Sequence, residues 1–158
     1  MIFVTVGTQL AFDRMLKMVD ESLDGKDIDA FFQVGPSDYT PVKGEWCAFL
    51  DSNSYRSTLM RSKLIIGHAG MGTIITALEY GIPVIIVPRR VSLSEHRNDH
   101  QLATAERFSE MPSVYVVNNV EEMNKAIDDV FFNDSKGKQA MSNSSVTSFA
   151  GRIQNLIV

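Results

Sequence analysis

The sequence predicts an α/β domain of Rossmann-like type, a mostly parallel sheet with helices on both faces. Short β-branched apolar runs alternate with longer stretches of helical period along the chain. The apolar runs are near-continuous rather than alternating, the mark of strands buried on both faces, as in parallel sheets. The segments just after these runs concentrate glycine, hydroxyl, amide, His and Arg groups, and in such sheets ligands sit at the carboxyl ends of strands where the order reverses. At 158 residues the chain is read as a single domain, 1–158.

Residues 2–6 form an apolar run ending at Gly7, a first strand. Phe12, Met15, Leu16, Val19 and Leu23 then recur at helical spacing, closed by Gly25. Residues 30–34 give a second strand ended by Gly35-Pro36, and 46–50 a weaker third. Residues 54–62 suit a short helix, and 64–66 a strand ending in Gly67. A helix over 71–80 stops at Gly81, and a strand over 83–87 ends at Pro88. Residues 98–110 carry the stripe Leu102, Ala105, Phe108, and 114–117 is the last strand. Asn119 with Glu122 three residues on is a capping-box pattern before a helix through Phe132. A polar linker from 133 and a closing helix bearing Val146, Phe149, Ile153 and Leu156 complete the chain to 158. The 36–45 connection, with Pro36, Pro41 and Gly44, is barely long enough for a parallel crossover, and no topology is assigned there.

Composition excludes several classes. Fifteen Lys plus Arg against nineteen Asp plus Glu give a net charge of −4, which argues against a nucleic-acid partner held by bulk charge. A hydrophobic share of 44% argues against dominant disorder. The single Cys47 excludes an internal disulfide framework and a cysteine-cluster zinc site, and the expected compartment is the cytoplasm. No signal peptide is read at the N-terminus, and no apolar run approaches the roughly 20 residues of a membrane span. Work at a membrane would need another subunit.

Residues 64–88 carry the most chemistry. A strand runs into His68-Ala69-Gly70-Met71-Gly72-Thr73 and directly opens a helix. Gly70 and Gly72 would let backbone N–H groups approach an anion, and the helix start adds unpaired donors and partial positive charge. Thr73 could donate its hydroxyl, and His68 could hydrogen-bond the anion or carry a proton. The same spacing also fits a tight strand-to-helix turn with a satisfied histidine. No Gly-x-Gly-x-x-Gly follows the first strand and no P-loop occurs, so dinucleotide and ATP-hydrolysing readings lose ground.

The blocks HAGMGTIITALEYGIPVIIVP and EHRNDHQLATAERF resemble the donor-binding half of a GT-B glycosyltransferase. The resemblance is to the glycosyltransferase family 28 C-terminal domain in its short stand-alone form, which includes PssE-like exopolysaccharide subunits. That form also includes the catalytic subunit of the two-part dolichol-pathway N-acetylglucosaminyltransferase. It spans residues 1–132 and is strongest over 64–108. It implies that Gly7 and Thr8 lie beside a diphosphate, that His68 touches it, and that Gly70, Met71, Gly72 and Thr73 hold phosphate. It further implies that Phe49 and Leu50 read uracil at a strand end, and that His100 and Gln101 contact the donor sugar. The family often places a glutamate for the ribose where this chain has Thr76. Glu79, one turn on, could substitute.

Arg89 and Arg90, with Arg97 beyond, could neutralise a departing diphosphate; the alternative is a solvated basic surface. His96 and His100 at i, i+4 spacing could hold a metal, but sugar recognition explains that polar run better and no metal is expected. Trp46 and Phe49 suit the core or a partner surface, Cys47 a small buried position, and the methionines gap-filling, with Met71 standing apart in the site loop.

The resemblance thus implies a UDP-sugar-binding catalytic subunit, a hexosyltransferase with no cofactor beyond its donor substrate, working in surface or exopolysaccharide synthesis. A membrane-anchored partner subunit would supply the acceptor half and general base, with a lipid-linked sugar as acceptor, at the inner face of the membrane. Self-association is left open. A non-catalytic accessory subunit is the alternative, and a UDP-sugar epimerase is disfavoured because such enzymes carry two domains in one chain.

Overall fold

A computed structural model describes residues 1–133; apart from Asn133, the expected linker and closing helix over 133–158 lie outside the described residues. Strands β1 (Ile2–Thr5), β2 (Ala30–Gln33), β3 (Glu45–Cys47), β4 (Leu64–His68), β5 (Val84–Val87) and β6 (Val114–Val116) form one sheet in the order β3-β2-β1-β4-β5-β6. Every neighbouring pair is parallel. The chain builds outward from β1 to β3, then returns to place β4 on the other side of β1. That reversal leaves the carboxyl ends of β1 and β4 adjacent, with their following loops diverging around a crevice.

The strands alternate their side chains between two cores. Ile2, Val4, Ile66 and Ile85 face α1 (Asp13–Ser22) and α5 (Val120–Phe131), which pack there through Met15, Leu16, Val19, Met123 and Ile127. Phe3, Ile65, Val84 and Ile86 face the opposite way. There α2 (Ser52–Met60), α3 (Met71–Glu79) and α4 (His100–Phe108) bring Leu59, Ile74, Leu78, Ala105 and Phe108. Each of the larger of these buried side chains stabilises the fold by roughly 1.5–3 kcal/mol, so both helical layers are held by core contacts rather than by helix propensity.

Element boundaries differ from the sequence expectation where side chains of other elements intervene. β4 does not end at 66: Gly67 pairs with Thr5 and Ile86, and His68 with Val87. A Cβ at Gly67 would meet the Thr73 methyl at 3.5 Å, an ordinary van der Waals contact, so the strand continues through this glycine beside the start of α3. β3 stops at Cys47, leaving Phe49 and Leu50 in the following loop rather than at a strand end. At α5, Asn119 caps the Glu122 N–H at 2.8 Å, but Glu122 accepts from Asn118 N (2.6 Å), one residue before the reciprocal partner a capping box requires.

The unassigned 36–45 connection is a crossover without a helix, and Asp20 of α1 organises it. This carboxylate, only 3% exposed, accepts from the Tyr39 hydroxyl (2.7 Å), Val42 N (2.8 Å) and Lys43 N (3.0 Å). Asp13 accepts Tyr39 N at 2.6 Å, and Ser37 Oγ accepts Phe12 N at 2.9 Å. A polar segment with few apolar anchors is thereby laid against α1 in the register β3 needs.

Asp20→Ala should therefore lower stability by about 3 kcal/mol, because two backbone donors and a hydroxyl lose a charged acceptor. Tyr39→Phe should cost only about 1 kcal/mol. Urea unfolding of the two variants checks this; equal, small losses would show that the crossover is held by other contacts.

Candidate functional site

The crevice at the β1/β4 reversal opens into a cavity of about 450 Å³. Its floor is His68, the last residue of β4, partly buried between two glycines. A Cβ on Gly70 would stand 2.2 Å from His68 Cε1, and one on Gly7 would stand 3.0 Å from Nε2. Gly7 also has φ +81°, a region that other residues occupy at a cost. Both glycines therefore make room for the imidazole. The Gly70 N–H is not available to a ligand, because it donates to the His68 carbonyl at 2.7 Å in the turn that opens α3. Gly72 is the glycine with open space about it.

Residues Met71, Gly72 and Thr73 form the first turn of α3, and their N–H groups have no acceptor among the described residues. The Thr73 hydroxyl lies 3.3 Å from the Tyr55 hydroxyl and also lines the cavity. Gly7, Thr8, Gln9 and Leu10 form the opposite wall.

Arg89, following β5, closes the back. It is 3% exposed, which sets aside the alternative of a solvated basic surface for this arginine. Its Nη2 donates to Val6 O (2.8 Å) and Leu10 O (2.9 Å), and its guanidinium stacks 4.9 Å from the Phe12 ring centroid. It thus braces the β1 loop against β5 while its Nε stays buried without a partner. Burial lowers its pKa, partly offset by Glu95, and an arginine stays charged. Glu95 itself is engaged with Arg14 of α1 at 2.5 Å, with Arg14 also donating to Pro88 O at 3.0 Å. These bonds pin the loop after β5 to α1 and leave His96 on the cavity rim.

Gln101 of α4, 8% exposed, joins the parts. Its Oε1 accepts the Arg89 backbone N–H at 3.0 Å, and its Nε2 lies 3.1 Å from His68 Nδ1. The His68 pKa falls to about 4, first through burial and then through the positive groups of Arg89 and His96. His68 is thus a neutral hydrogen-bonding group near pH 7, not a cation. Among the described residues no Asp or Glu lines the cavity, so its electrostatics favour an anion: a buried guanidinium, the start of α3 and two threonine hydroxyls.

Of the residues singled out from sequence, the cavity gathers Gly7, Thr8, His68, Gly70, Gly72, Thr73, Arg89 and Gln101. Others lie elsewhere. Met71 packs on the core beneath α3; Phe49 is exposed in the loop after β3, and Leu50 packs towards that same core. The Thr76 hydroxyl is spent on Gly72 O at 2.7 Å, and Glu79 is exposed at the end of α3. His100 is exposed at the first residue of α4, outside the lining. His96 precedes that helix, so the two histidines do not share a helical face. Among the described residues no group of three or more His, Cys, Asp or Glu could hold a metal. Arg90 turns to Asn118 at 2.6 Å, and Arg97 is exposed. Gln9 and Leu10 line the cavity, marked in the sequence only by following Gly7 and Thr8, and His96, weighed above as a metal ligand, lies on its rim.

The family model for the glycosyltransferase family 28 C-terminal domain matches residues 1–156. No curated protein sequence matches the chain. Among solved structures, Os79 from O. sativa in complex with UDP aligns with TM-score 0.68 at 14% identity, over 92% of this chain and 34% of that one. The glycosyltransferase SnogD from Streptomyces nogalater aligns with TM-score 0.59 at 18% identity, over 95% of this chain and 42% of its own. CalG4, the calicheamicin glycosyltransferase, gives 0.62 at 15% identity, over 96% and 43%. The architecture is that of the C-terminal domains of GT-B glycosyltransferases, and the chain spans less than half the length of these proteins.

Two outcomes follow from the packing of His68. Gly70→Ala should destabilise by about 1–3 kcal/mol through overpacking against the ring. Gly72→Ala, with nothing in its way, should be neutral or stabilising by up to about 1 kcal/mol; similar unfolding midpoints for the two variants would contradict the placement of the ring. The second concerns pH. Above pH 6.5 the ring is neutral whether the chain is folded or not. Below it the unfolded chain takes up a proton that the folded one refuses down to about pH 4, so stability falls across that window by of order 3 kcal/mol. His68→Asn should lose that part of the slope, seen as a difference between the two stability–pH curves.

Proposed function

The chain belongs to the glycosyltransferase family 28 C-terminal domain family, and we propose that it is the UDP-sugar-binding catalytic subunit of a two-component glycosyltransferase. The observation that carries this reading is the cavity at the β1/β4 reversal, lined by no carboxylate among the described residues and bounded by the first turn of α3, His68 and the buried Arg89. It suits the diphosphate of a nucleotide-sugar donor, and one of the structural neighbours, Os79, was solved with UDP.

In the proposed reaction an acceptor hydroxyl oxygen attacks the anomeric carbon as that carbon's bond to the diphosphate breaks. The electron pair goes to the β-phosphate oxygen and UDP departs. The N–H groups of Met71, Gly72 and Thr73, with the Thr73 hydroxyl, meet the charge developing on that leaving group, and Arg89 adds fixed positive potential behind it. No resident cofactor enters this scheme. The acceptor-binding lobe and the base that takes the hydroxyl proton come from a membrane-anchored partner subunit, with a lipid-linked sugar as acceptor, in surface or exopolysaccharide synthesis. None of the described helices is long and apolar enough to cross a membrane, so attachment at the inner face would run through that partner.

Calorimetry with UDP and with uridine tests the site. UDP should bind more tightly than uridine, and Thr73→Ala should weaken UDP about tenfold, the loss of one hydrogen bond to a charged group, while leaving uridine nearly unchanged. Equal losses for both ligands would move the diphosphate away from α3. Absence of UDP binding even with the partner subunit present would favour the accessory, non-catalytic reading.

A further inference from the structure

Gln101 has the burial and the bonds of a positioning group rather than of a ligand contact. Its carbonyl oxygen is fixed by the Arg89 backbone N–H, an obligatory donor, at 3.0 Å. That bond leaves the amide nitrogen facing His68 Nδ1 at 3.1 Å. An amide NH₂ only donates, so Nδ1 must accept, and the single proton of a neutral imidazole is then on Nε2. Nε2 lies on the Gly7 side of the ring, makes no hydrogen bond among the described residues, and is not among the sealed, unpaired buried atoms. It opens on the cavity.

We infer that Gln101 is a positioning residue, whose amide, bridging Arg89 N and His68 Nδ1, locks the imidazole as the Nε2–H form and aims a neutral donor into the cavity. The other elements around the ring reinforce this state. Arg89 after β5 and His96 on the rim oppose a second proton, while Gly7 from the β1 loop and Gly70 at the start of α3 bring no charge. The tautomer rests on the hydrogen bonds alone; its use toward a phosphate oxygen rests on the reading of the cavity as a diphosphate site. A donor that stays neutral binds an anionic oxygen without holding UDP as tightly as an imidazolium would.

The test is the nitrogen spectrum of the imidazole rings in the ¹⁵N-labelled free protein, where His68 need only be told from His96 and His100. Wild type should show a proton-bearing Nε2 and a bare Nδ1 at neutral pH. Gln101→Glu keeps an acceptor for Arg89 N, so the loop stays anchored, but turns a second acceptor toward Nδ1. It should convert the ring to a doubly protonated cation at neutral pH. Gln101→Leu should release the ring into a mixture of tautomers and weaken UDP about tenfold. A proton on Nδ1 in wild type, or an unchanged ring in Gln101→Glu, overturns the inference. The expected tautomer in a protein that binds neither UDP nor inorganic pyrophosphate would support the positioning role and overturn the diphosphate reading.

Discussion

The imidazole of His68 fills the gap where the chain reverses direction across its sheet, between the loop that leaves β1 and the turn that opens α3. Both flanking residues are glycine because the ring stands within van der Waals contact of where their Cβ atoms would be. The ring is in turn held by Gln101, Gln101 by the Arg89 backbone, and the Arg89 guanidinium by carbonyls of the β1 loop. The bonds form a closed circuit through β1, β4, β5 and α4. The first turn of α3 is presented to the cavity at a fixed angle because this circuit leaves the His68–Gly70 turn little freedom.

Burying Arg89 carries a desolvation cost of several kcal/mol, and two carbonyls and the face of Phe12 offset only part of it. Glu95, the acidic group that acts on it, is itself bonded to Arg14. The cavity consequently carries uncompensated positive potential, which a bound polyanion would satisfy. The same arginine ties the β1 loop to the end of β5, so the cavity's positive potential and its loop geometry depend on one side chain. Nearby, the Arg14–Glu95 pair fastens the following loop to α1, which keeps Glu95 away from the ligand space.

The strands were legible because a parallel sheet buries both faces, which short apolar runs such as residues 64–66 and 84–87 match. Helix positions followed from their apolar stripes, and Gly7, His68 and Thr73 followed from the strand-to-helix pattern. The 36–45 crossover was not legible, since it is held by Asp20, a side chain from an earlier helix that no local pattern connects to it. Gly70 looked like space for a ligand and is space for a ring. Gln101, read as a sugar contact, also accepts the Arg89 backbone N–H and faces His68. Arg89 and Arg90 were read together as diphosphate contacts because nothing in Pro-Arg-Arg distinguishes the arginine that folds under the β1 loop from Arg90, which turns to Asn118. In each case the residue type pointed to the right region, and a tertiary partner decided the role.

The central claim is that unpaired amides at the start of α3 take the diphosphate. Amide chemical shifts followed during titration with UDP test it most directly. The account predicts the largest shifts at Met71, Gly72 and Thr73, together with Gly7 and Thr8 across the cavity. Saturable shifts elsewhere with these five amides unmoved would contradict it.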